Sequence, residues 1–461
     1  MEKGLRVSSF IIPVKVDESK YMLLHGYSGA MDIVDTSVAQ FLCKEETVNE
    51  TDFNEDLLQT LQKRGYLTGM SQEEENDYFR RIAVALHKKD KLLYAAYTFV
   101  ITYDCNFRCP YCFERDLHKD GSKPFTMTEE MVDKAFKAID TIQQQKQRPS
   151  KKIELFGGEP LLKENLNIIE YIVNKGIGNG FKFGAITNGY DLDAFVPLLS
   201  PDKICSLQIT IDGIEDMHNS KRVHKDGVPT FKKIVDNIKM ALEHDVYVTI
   251  RFNTDRNNFE QLNALKNYFA ELGFTSNKKF HIDSARLENY DESLDSKDKQ
   301  AFLSQKEFIK KHEALDFEYG CHDYATYGKI YRSIYRQEPL PYKSTFCASQ
   351  TGGYVFDPFF KIYPCWEVLG DRQYCIGDYS GDTIKWDDEH LNYWHQDNIA
   401  RHTACRTCKC ALLCGGGCTA HNIHTQHCTH MMELIEYAAK RAYNNYKLNN
   451  KKIEKNYGEK N

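Results

Sequence analysis

The chain has 461 residues, enough for about three domains of ordinary size, with 41% hydrophobic and 27% charged residues. Its formal net charge is −6 and no long basic stripe precedes the tail, which argues against nucleic acid as the main partner, because phosphate binding needs clustered Lys and Arg. No signal-peptide pattern opens it and no run of about 20 apolar residues is present, so a cytoplasmic location without a membrane partner is expected, and its 15 cysteines point to metal or cluster ligation rather than disulfides.

Residues 1–90 read as a small module. Phe10–Val16 and Tyr21–His25 are strand-like, and Val38–Leu42 and Phe53–Leu61 have helical spacing. Gly65-Tyr66-Leu67 reads as a helix stop and a short wing strand, which suggests a winged helix, and Asn76–Lys88 reads as a connecting helix. Residues 91–290 alternate strand and helix. The apolar runs are Tyr97–Thr102, Ile153–Phe156, Phe183–Ile186, Leu207–Ile211 and Val246–Phe252. Helical patterns at Thr128–Gln144, Lys163–Asn174 and Phe231–His244 lie between them. Repeated βα order argues for a parallel α/β sheet or barrel. Residues 291–340 read as a helical linker. Residues 341–446 are dense in Cys, Gly and Pro and end in an amphipathic helix over Met431–Tyr446, and 447–461 read as a disordered tail.

Cys105, Cys109 and Cys112 form a C-x3-C-x2-C group just after the first strand of the βα region. Strand C-termini are where α/β folds place their chemistry. Three cysteines hold three corners of a four-iron cluster and leave one iron open for a ligand. A zinc site is the bland alternative. The motif resembles the radical S-adenosylmethionine (SAM) superfamily, and the similarity covers about 200 residues through Phe156-Gly157-Gly158-Glu159-Pro160, Thr187-Asn188-Gly189, Gln208–Gly213 and Ile250–Asn253. The resemblance implies a partial (β/α)6 TIM-like barrel. It also implies SAM contacts from Tyr111, Gly157, Gly158, Glu159, Thr210, Arg222 and Asn253.

A second field follows: Cys405-x2-Cys408-x5-Cys414-x3-Cys418, then Cys428, with Cys347 and Cys365 upstream. A zinc ribbon is the alternative reading. These seven resemble the SPASM domain, which implies two auxiliary clusters and three [4Fe-4S] clusters in all. By that resemblance Cys405, Cys408, Cys414 and Cys428 hold one auxiliary cluster, and Cys347, Cys365 and Cys418 contribute to the other. The family usually has glycine where this chain has Phe360, and one version of the site has a cysteine where this chain has Gly353. The first auxiliary site, that of Cys347, Cys365 and Cys418, is therefore either open at one iron or completed by Cys375 or Cys321. Cys410 reads as an extra thiol, and Cys43 and Cys205 as buried core thiols.

The resemblance implies that SAM, cleaved by one electron, yields a 5′-deoxyadenosyl radical that takes a hydrogen from an unactivated carbon. The partner expected is a ribosomally made precursor peptide. Residues 1–90 resemble the leader-recognition (PqqD-like) module of peptide maturases, which would take the leader as an added strand at an edge between Phe10 and Leu24. An electron donor such as flavodoxin or ferredoxin is also implied. The expected product is an intramolecular crosslink, with a thioether favoured over a carbon–carbon bond. The alternatives are sulfatase-maturase-like side-chain oxidation, peptide epimerisation and a non-enzymatic electron carrier. Sulfatase maturases carry an Asp directly after the second auxiliary cysteine, where this chain has Trp366. Asp212, His218 and Glu367 are weak candidates for acid–base roles, and His224, Tyr354 and Trp366 read as ordinary packing or hydrogen-bonding groups.

Overall fold

The computed structural model describes residues 4–44, 47–49, 52–114, 125–288, 300–315, 320–321, 325–423, 428 and 431–458. Contacts divide the chain into two units. One comprises Met1–Asp90, Tyr324–Gln350 and Asp397–Asn461, and the other Lys91–Asp323 and Thr351–Gln396. The Cys-rich stretch expected as one module at 341–446 is thus shared between them.

In the first unit, β1 (Arg6–Val7) pairs with β5 (Leu67–Thr68), while β2 (Ile11–Lys15), β3 (Lys20–His25) and β4 (Met31–Asp35) form an antiparallel sheet in that order. Helices Thr36–Lys44 and Glu55–Arg64 pack on it through Ala39, Leu42 and Leu61. The second helix starts on the Asn54 side chain, which accepts from Leu57 N at 2.9 Å, and stops at Gly65 (φ 88°). The wing strand after Gly65 is therefore where the spacing predicts it. β4 carries no sequence signal, because Asp32 and Asp35 interrupt a very short apolar run.

A buried polar knot ties this sheet to helix Gln72–Leu93, which extends beyond the expected 76–88 at both ends. Glu75, fully buried, accepts from Ser8 Oγ (2.5 Å), Arg6 Nη2 (2.7 Å), Tyr27 OH (2.9 Å) and Ser9 N (3.1 Å). His25 Nδ1 accepts from Ser28 N at 3.1 Å. Its proton therefore sits on Nε2, which donates to Ser8 Oγ at 3.0 Å. Helix Met431–Gly458 packs on helix Ala325–Arg336, with Asn445 Nδ2 donating to Tyr331 OH at 2.9 Å. The expected disordered tail at 447–461 is thus helical as far as Gly458. Lys and Asn do not break a helix, and no Pro or Gly intervenes before that residue.

The second unit holds a sheet of β6 (Ala96–Val100), β7 (Lys152–Phe156), β8 (Lys182–Thr187), β9 (Ile204–Thr210), β10 (Tyr247–Thr254) and β11 (Phe280–Arg286), parallel and in chain order. Helices Glu129–Gln143, Leu166–Gly178, Phe231–Glu243 and Gln261–Glu271 connect them. The two ends of the strand order do not pair, so the barrel is partial. β12 (Gly320–Cys321) extends it beyond β11, inside the stretch read as a helical linker, whose described helices are Gln305–Ala314 and Ala325–Arg336. At the other end β13 (Gly353–Phe356) adds parallel to β6, and β14 (Lys361–Tyr363), β15 (Gly377–Asp378) and β16 (Lys385–Trp386) follow antiparallel.

Phe360, the departure from the family's glycine, keeps glycine's backbone (φ 61°). Asp357 Oδ1 holds this turn by accepting from Phe359 N (2.9 Å) and Lys361 N (2.8 Å), and the Phe360 ring packs on Tyr379 and under Lys134 Nζ. Those contacts offset a left-handed conformation that costs a side-chain-bearing residue about 1–2 kcal/mol.

Burial depresses the His25 pKa to about 4. A histidine depressed in the folded state binds its proton first in the unfolded chain, so stability present above pH 6.5 is lost as pH falls towards about 4. Acid unfolding of the first unit, followed by circular dichroism, is expected to lose at most about 3 kcal/mol over this window, and less in His25→Gln.

Candidate active site and cluster-binding cysteines

The loop after β6 carries Cys105, Cys109 and Cys112 and is held from two sides by backbone. From β7, Gly158 N donates to Thr102 O at 3.0 Å and Glu159 N to Asp104 O at 2.8 Å. From the segment after β9, Lys225 N donates to Asn106 O at 2.7 Å, and Val223 O accepts from Arg108 N at 2.7 Å. A Cβ on Gly157 (φ 136°) would lie 2.2 Å from Thr102 O, and one on Gly158 2.3 Å from Asp104 O. Both glycines are therefore required by the fold itself, to let β7 reach the cysteine loop.

The Glu159 carboxylate is turned inward. It accepts from Thr187 Oγ1 (2.6 Å), Asn188 N (2.6 Å) and Leu161 N (2.8 Å), tying β7 to the end of β8, and burial raises its pKa to about 7. Its side chain is thus committed to the scaffold. Asn188 Nδ2 in turn donates to Asn106 Oδ1 at 2.7 Å, inside the cysteine loop. Sequence reading missed this tie, and its only sequence signal was the Thr187-Asn188-Gly189 element.

Beyond β9, Tyr111 OH donates to Asp212 Oδ2. Tyr111 OH also accepts from Arg222 Nη1 (3.3 Å) and Asn253 Nδ2 (3.5 Å), and Asp212 Oδ1 accepts from Asn253 N (3.1 Å). The structure therefore brings Tyr111, Arg222 and Asn253 together, with Asp212 as their organiser. Thr210 closes β9 and is nearly buried. Arg222 Nε is buried without a hydrogen-bond partner, a donor left for an anionic group such as the SAM carboxylate.

His218 is fully buried, packs edge-on to Phe231, and both ring nitrogens lack partners; burial lowers its pKa to about 3. It is a poor acid or base at neutral pH. His224 packs against Phe107 and Tyr190, and Tyr354 against Tyr97, Trp386 and His395. Trp366 stacks on Phe156 (centroids 5.4 Å apart), directly before the two glycines. Glu367 Oε2 and Glu114 Oε1 are buried without partners. Glu114, which sequence reading passed over, has its pKa raised to about 8 by burial and then by Glu367 and Glu159.

Burial raises the pKa of all three loop thiols, that of Cys112 to about 11, and Cys105 Sγ accepts from Phe107 N at 3.3 Å. Buried thiolates need a cationic centre, which an iron–sulfur cluster supplies. Among the described residues no three His, Cys, Asp or Glu side chains converge on a single ion. A four-iron cluster spreads its thiolates farther apart than one zinc ion does. The donor set and the orphaned Arg222 nitrogen fit a SAM-binding cluster.

In the first unit, burial and then Cys414, Cys408 and Cys428 push Cys405 up to about 12, so these four thiols share one neighbourhood. Cys410 is buried and hydrogen-bonds Cys408, which lowers the Cys408 pKa. Asp397 accepts from His402 Nε2 (2.6 Å), Thr419 Oγ1 (2.7 Å) and Gln350 Nε2 (2.9 Å), and Gln350 Oε1 accepts from the backbone of Phe346 and Cys347. This hub braces the segments around Cys347, Cys405 and Cys418. Cys365 lies in the other unit, as does Cys375, whose Sγ donates to Gly377 O at 3.2 Å. The Cys321 side chain is outside the described residues. Cys43 is exposed and Cys205 half-buried, correcting the expectation of two core thiols. Cys43 lies on the outer side of a surface helix, and the Cys205 Sγ bonds Phe183 O at the sheet.

Residues 99–265 match the sequence model of the radical SAM superfamily. The chain is 22% identical to the radical SAM cyclopropyl synthase TigE of Paramaledivibacter caminithermalis over 57% of its own length and 59% of TigE. It is 23% identical to the cysteine-type anaerobic sulfatase-maturating enzyme of Clostridium perfringens over 74% of its own length and 95% of that enzyme. The solved structure of native anSMEcpe with bound AdoMet and Cp18Cys peptide superposes with a TM-score of 0.57 at 18% identity, covering 77% of this chain and 99% of that one. No helix among the described residues is long and apolar enough to cross a membrane. Three cysteines on the loop after the first barrel strand, a glycine pair beneath them and this match over residues 99–265 mark a radical SAM domain in the chain, with SAM and a [4Fe-4S] cluster as its cofactors.

Proposed function

We infer that this enzyme modifies a ribosomally made precursor peptide and forms an intramolecular crosslink in it, a thioether in preference to a carbon–carbon bond. The observation that carries the peptide substrate is the pairing of a radical SAM barrel with a three-stranded N-terminal sheet that has an open edge. Relatedness to a cyclopropyl synthase and to sulfatase-maturating enzymes supports it. When bound, SAM and its cluster supply removal of a hydrogen atom from an unactivated carbon. Residues of the chain do the rest. Cys105, Cys109 and Cys112 hold the cluster. Arg222, Tyr111 and Asn253 hold the cofactor, with Asp212 positioning Tyr111, and Gly157 and Gly158 keep the loop in place. Phe156 and Trp366 wall the site with apolar surface, which excludes water from a reactive intermediate. Cys405, Cys408, Cys414 and Cys428 hold one auxiliary cluster. Cys347, Cys365 and Cys418 are assigned to the other from sequence pattern alone.

We place the leader-binding edge at β4 rather than in the stretch expected between Phe10 and Leu24. β3 is central and has no free edge. β2 packs against helix Met431–Gly458, whereas β4 leaves Ile33 45% exposed. Met31 O already accepts from Arg64 Nη2 at 3.1 Å on the side away from β3, so Ile33, two residues on, presents its backbone to that same side. The leader is therefore assigned to β4.

Cys105→Ala abolishes reductive SAM cleavage, while Cys408→Ala keeps some cleavage, loses peptide product and falls below the about twelve irons per chain of the reconstituted enzyme. Zinc in place of iron, or product from Cys105→Ala, contradicts the reading. Ile33→Pro removes one edge donor without disturbing the inner pairing, and weakens binding of a full-length precursor about tenfold by calorimetry while a leaderless core is unaffected. Equal binding removes β4 from the account. Mass spectrometry of the peptide separates a crosslink, with two hydrogens lost, from an epimerase, with no mass change.

A further inference from the structure

Two glutamates beside the cysteine loop stand outside its network of internal bonds. Glu114, two residues beyond Cys112, is 4% exposed, and its Oε1 is buried without a hydrogen-bond partner. Glu367 sits in the short turn Trp366–Val368, and its Oε2 is likewise buried without a partner. Both belong to the same unit and share one neighbourhood. The charges that reach Glu114 are those of Glu367 and then of Glu159, and no cation of the described residues is among them. Glu159 is satisfied by its three internal bonds, whereas Glu114 and Glu367 each keep an unpartnered oxygen. Such a pair is unfavourable by itself. Desolvated carboxylates without a counter-charge repel one another and lose hydration that nothing replaces. A cation carrying several N–H donors removes both penalties at once. Next to Glu367 the Trp366 indole stacks on Phe156, with centroids 5.4 Å apart. Apolar aromatic surface beside two carboxylates suits a long side chain with an aliphatic stem and a charged tip.

We propose that Glu114 and Glu367 receive a lysine or arginine side chain of the substrate peptide, with its stem against Trp366 and its charged tip donating to the two unpartnered oxygens. The proposal rests on the peptide-maturase reading and names the class of residue the peptide carries at this site. Glu114 borders Cys112, so a side chain held there lies beside the cluster loop. Two other cations share the chemistry. A divalent metal ion takes six or more oxygen ligands, and among the described residues no three His, Cys, Asp or Glu side chains converge on a single ion. SAM is the second. The residues assigned to it, Tyr111, Arg222 and Asn253, gather around Asp212 just past the end of β9, and β7 and β8 lie between β9 and β6. Glu367 comes from the other flank of β6, in the chain that follows β14.

The test uses the reconstituted full-length enzyme with SAM bound and two small probes, N-acetyl-lysine-N-methylamide and its uncharged counterpart N-acetyl-norleucine-N-methylamide. Binding is read by calorimetry. The wild type is expected to bind the lysine probe about tenfold or more tightly than the norleucine probe, and Glu114→Gln/Glu367→Gln to lose that preference. The single variants Glu114→Gln and Glu367→Gln are each expected to lose part of it, which keeps the test valid where the double variant fails to retain iron. Equal affinity of the wild type for the two probes, or a preference kept in the double variant, overturns the proposal. A loss of SAM affinity of about tenfold in that variant also overturns it, by giving the two carboxylates to the cofactor. Displacement of the lysine probe by an equal concentration of magnesium or calcium overturns it in favour of a metal ion. Full conversion of a precursor whose core lysines and arginines are all replaced by glutamine overturns the proposal and leaves the maturase reading standing. An enzyme that alters no peptide overturns that reading, and with it the substrate assigned here.

Discussion

The site depends on a backbone-to-backbone approach that side chains would forbid. β7 reaches the cysteine loop through two hydrogen bonds, Gly158 N to Thr102 O and Glu159 N to Asp104 O, and carbonyl oxygens lie only 2.2 and 2.3 Å from where Cβ atoms of residues 157 and 158 would stand. The loop so fixed carries the three thiols. Glu159 then anchors β7 to β8, and Asn188 returns to the loop at Asn106. Three strand ends thus hold one loop by internal bonds, before any cofactor is considered. Preorganisation of this kind matters for radical chemistry, where the reacting carbon must be held close and dry.

A second layer sits across the sheet. Asp212 is buried and takes its bonds from Tyr111 and the backbone of Asn253, and Arg222 reaches the same phenol. The arrangement leaves Arg222 Nε as an orphan donor. A buried donor without a partner costs about 1–3 kcal/mol, and an arriving anion relieves that cost. Asp212 therefore acts through Tyr111 and is a positioning group. Among the described residues of this unit, Glu114 and Glu367 each keep a buried carboxyl oxygen without a hydrogen-bond partner.

What was legible in the sequence was local. Cysteine spacing, the glycine pair and the strand ends could be read because each element's chemistry lies within a few residues. What was not legible depends on pairing over distance. Tyr111 and Asp212 are 101 residues apart and meet only through the fold. β11 and β4 escaped notice because Phe280–Arg286 mixes His, Asp, Ser and Arg among its apolar residues, and Met31–Asp35 is short and acidic. Glu159 looked like a cofactor ligand because of its motif, although its three acceptor bonds are internal. The tail looked disordered by composition, whereas its helix continues from a segment docked on Ala325–Arg336. Phe360 shows the converse. The departure from glycine was visible in sequence, but only the structure shows that the backbone kept glycine's conformation.

The central claim is that the iron left without a thiolate by Cys105, Cys109 and Cys112 binds the amino acid end of SAM. Low-temperature electron paramagnetic resonance of the dithionite-reduced enzyme, with and without SAM, tests it most directly. The account predicts that SAM changes the signal of this cluster and leaves Cys105→Ala unresponsive. An identical spectrum with and without SAM in the wild type contradicts it.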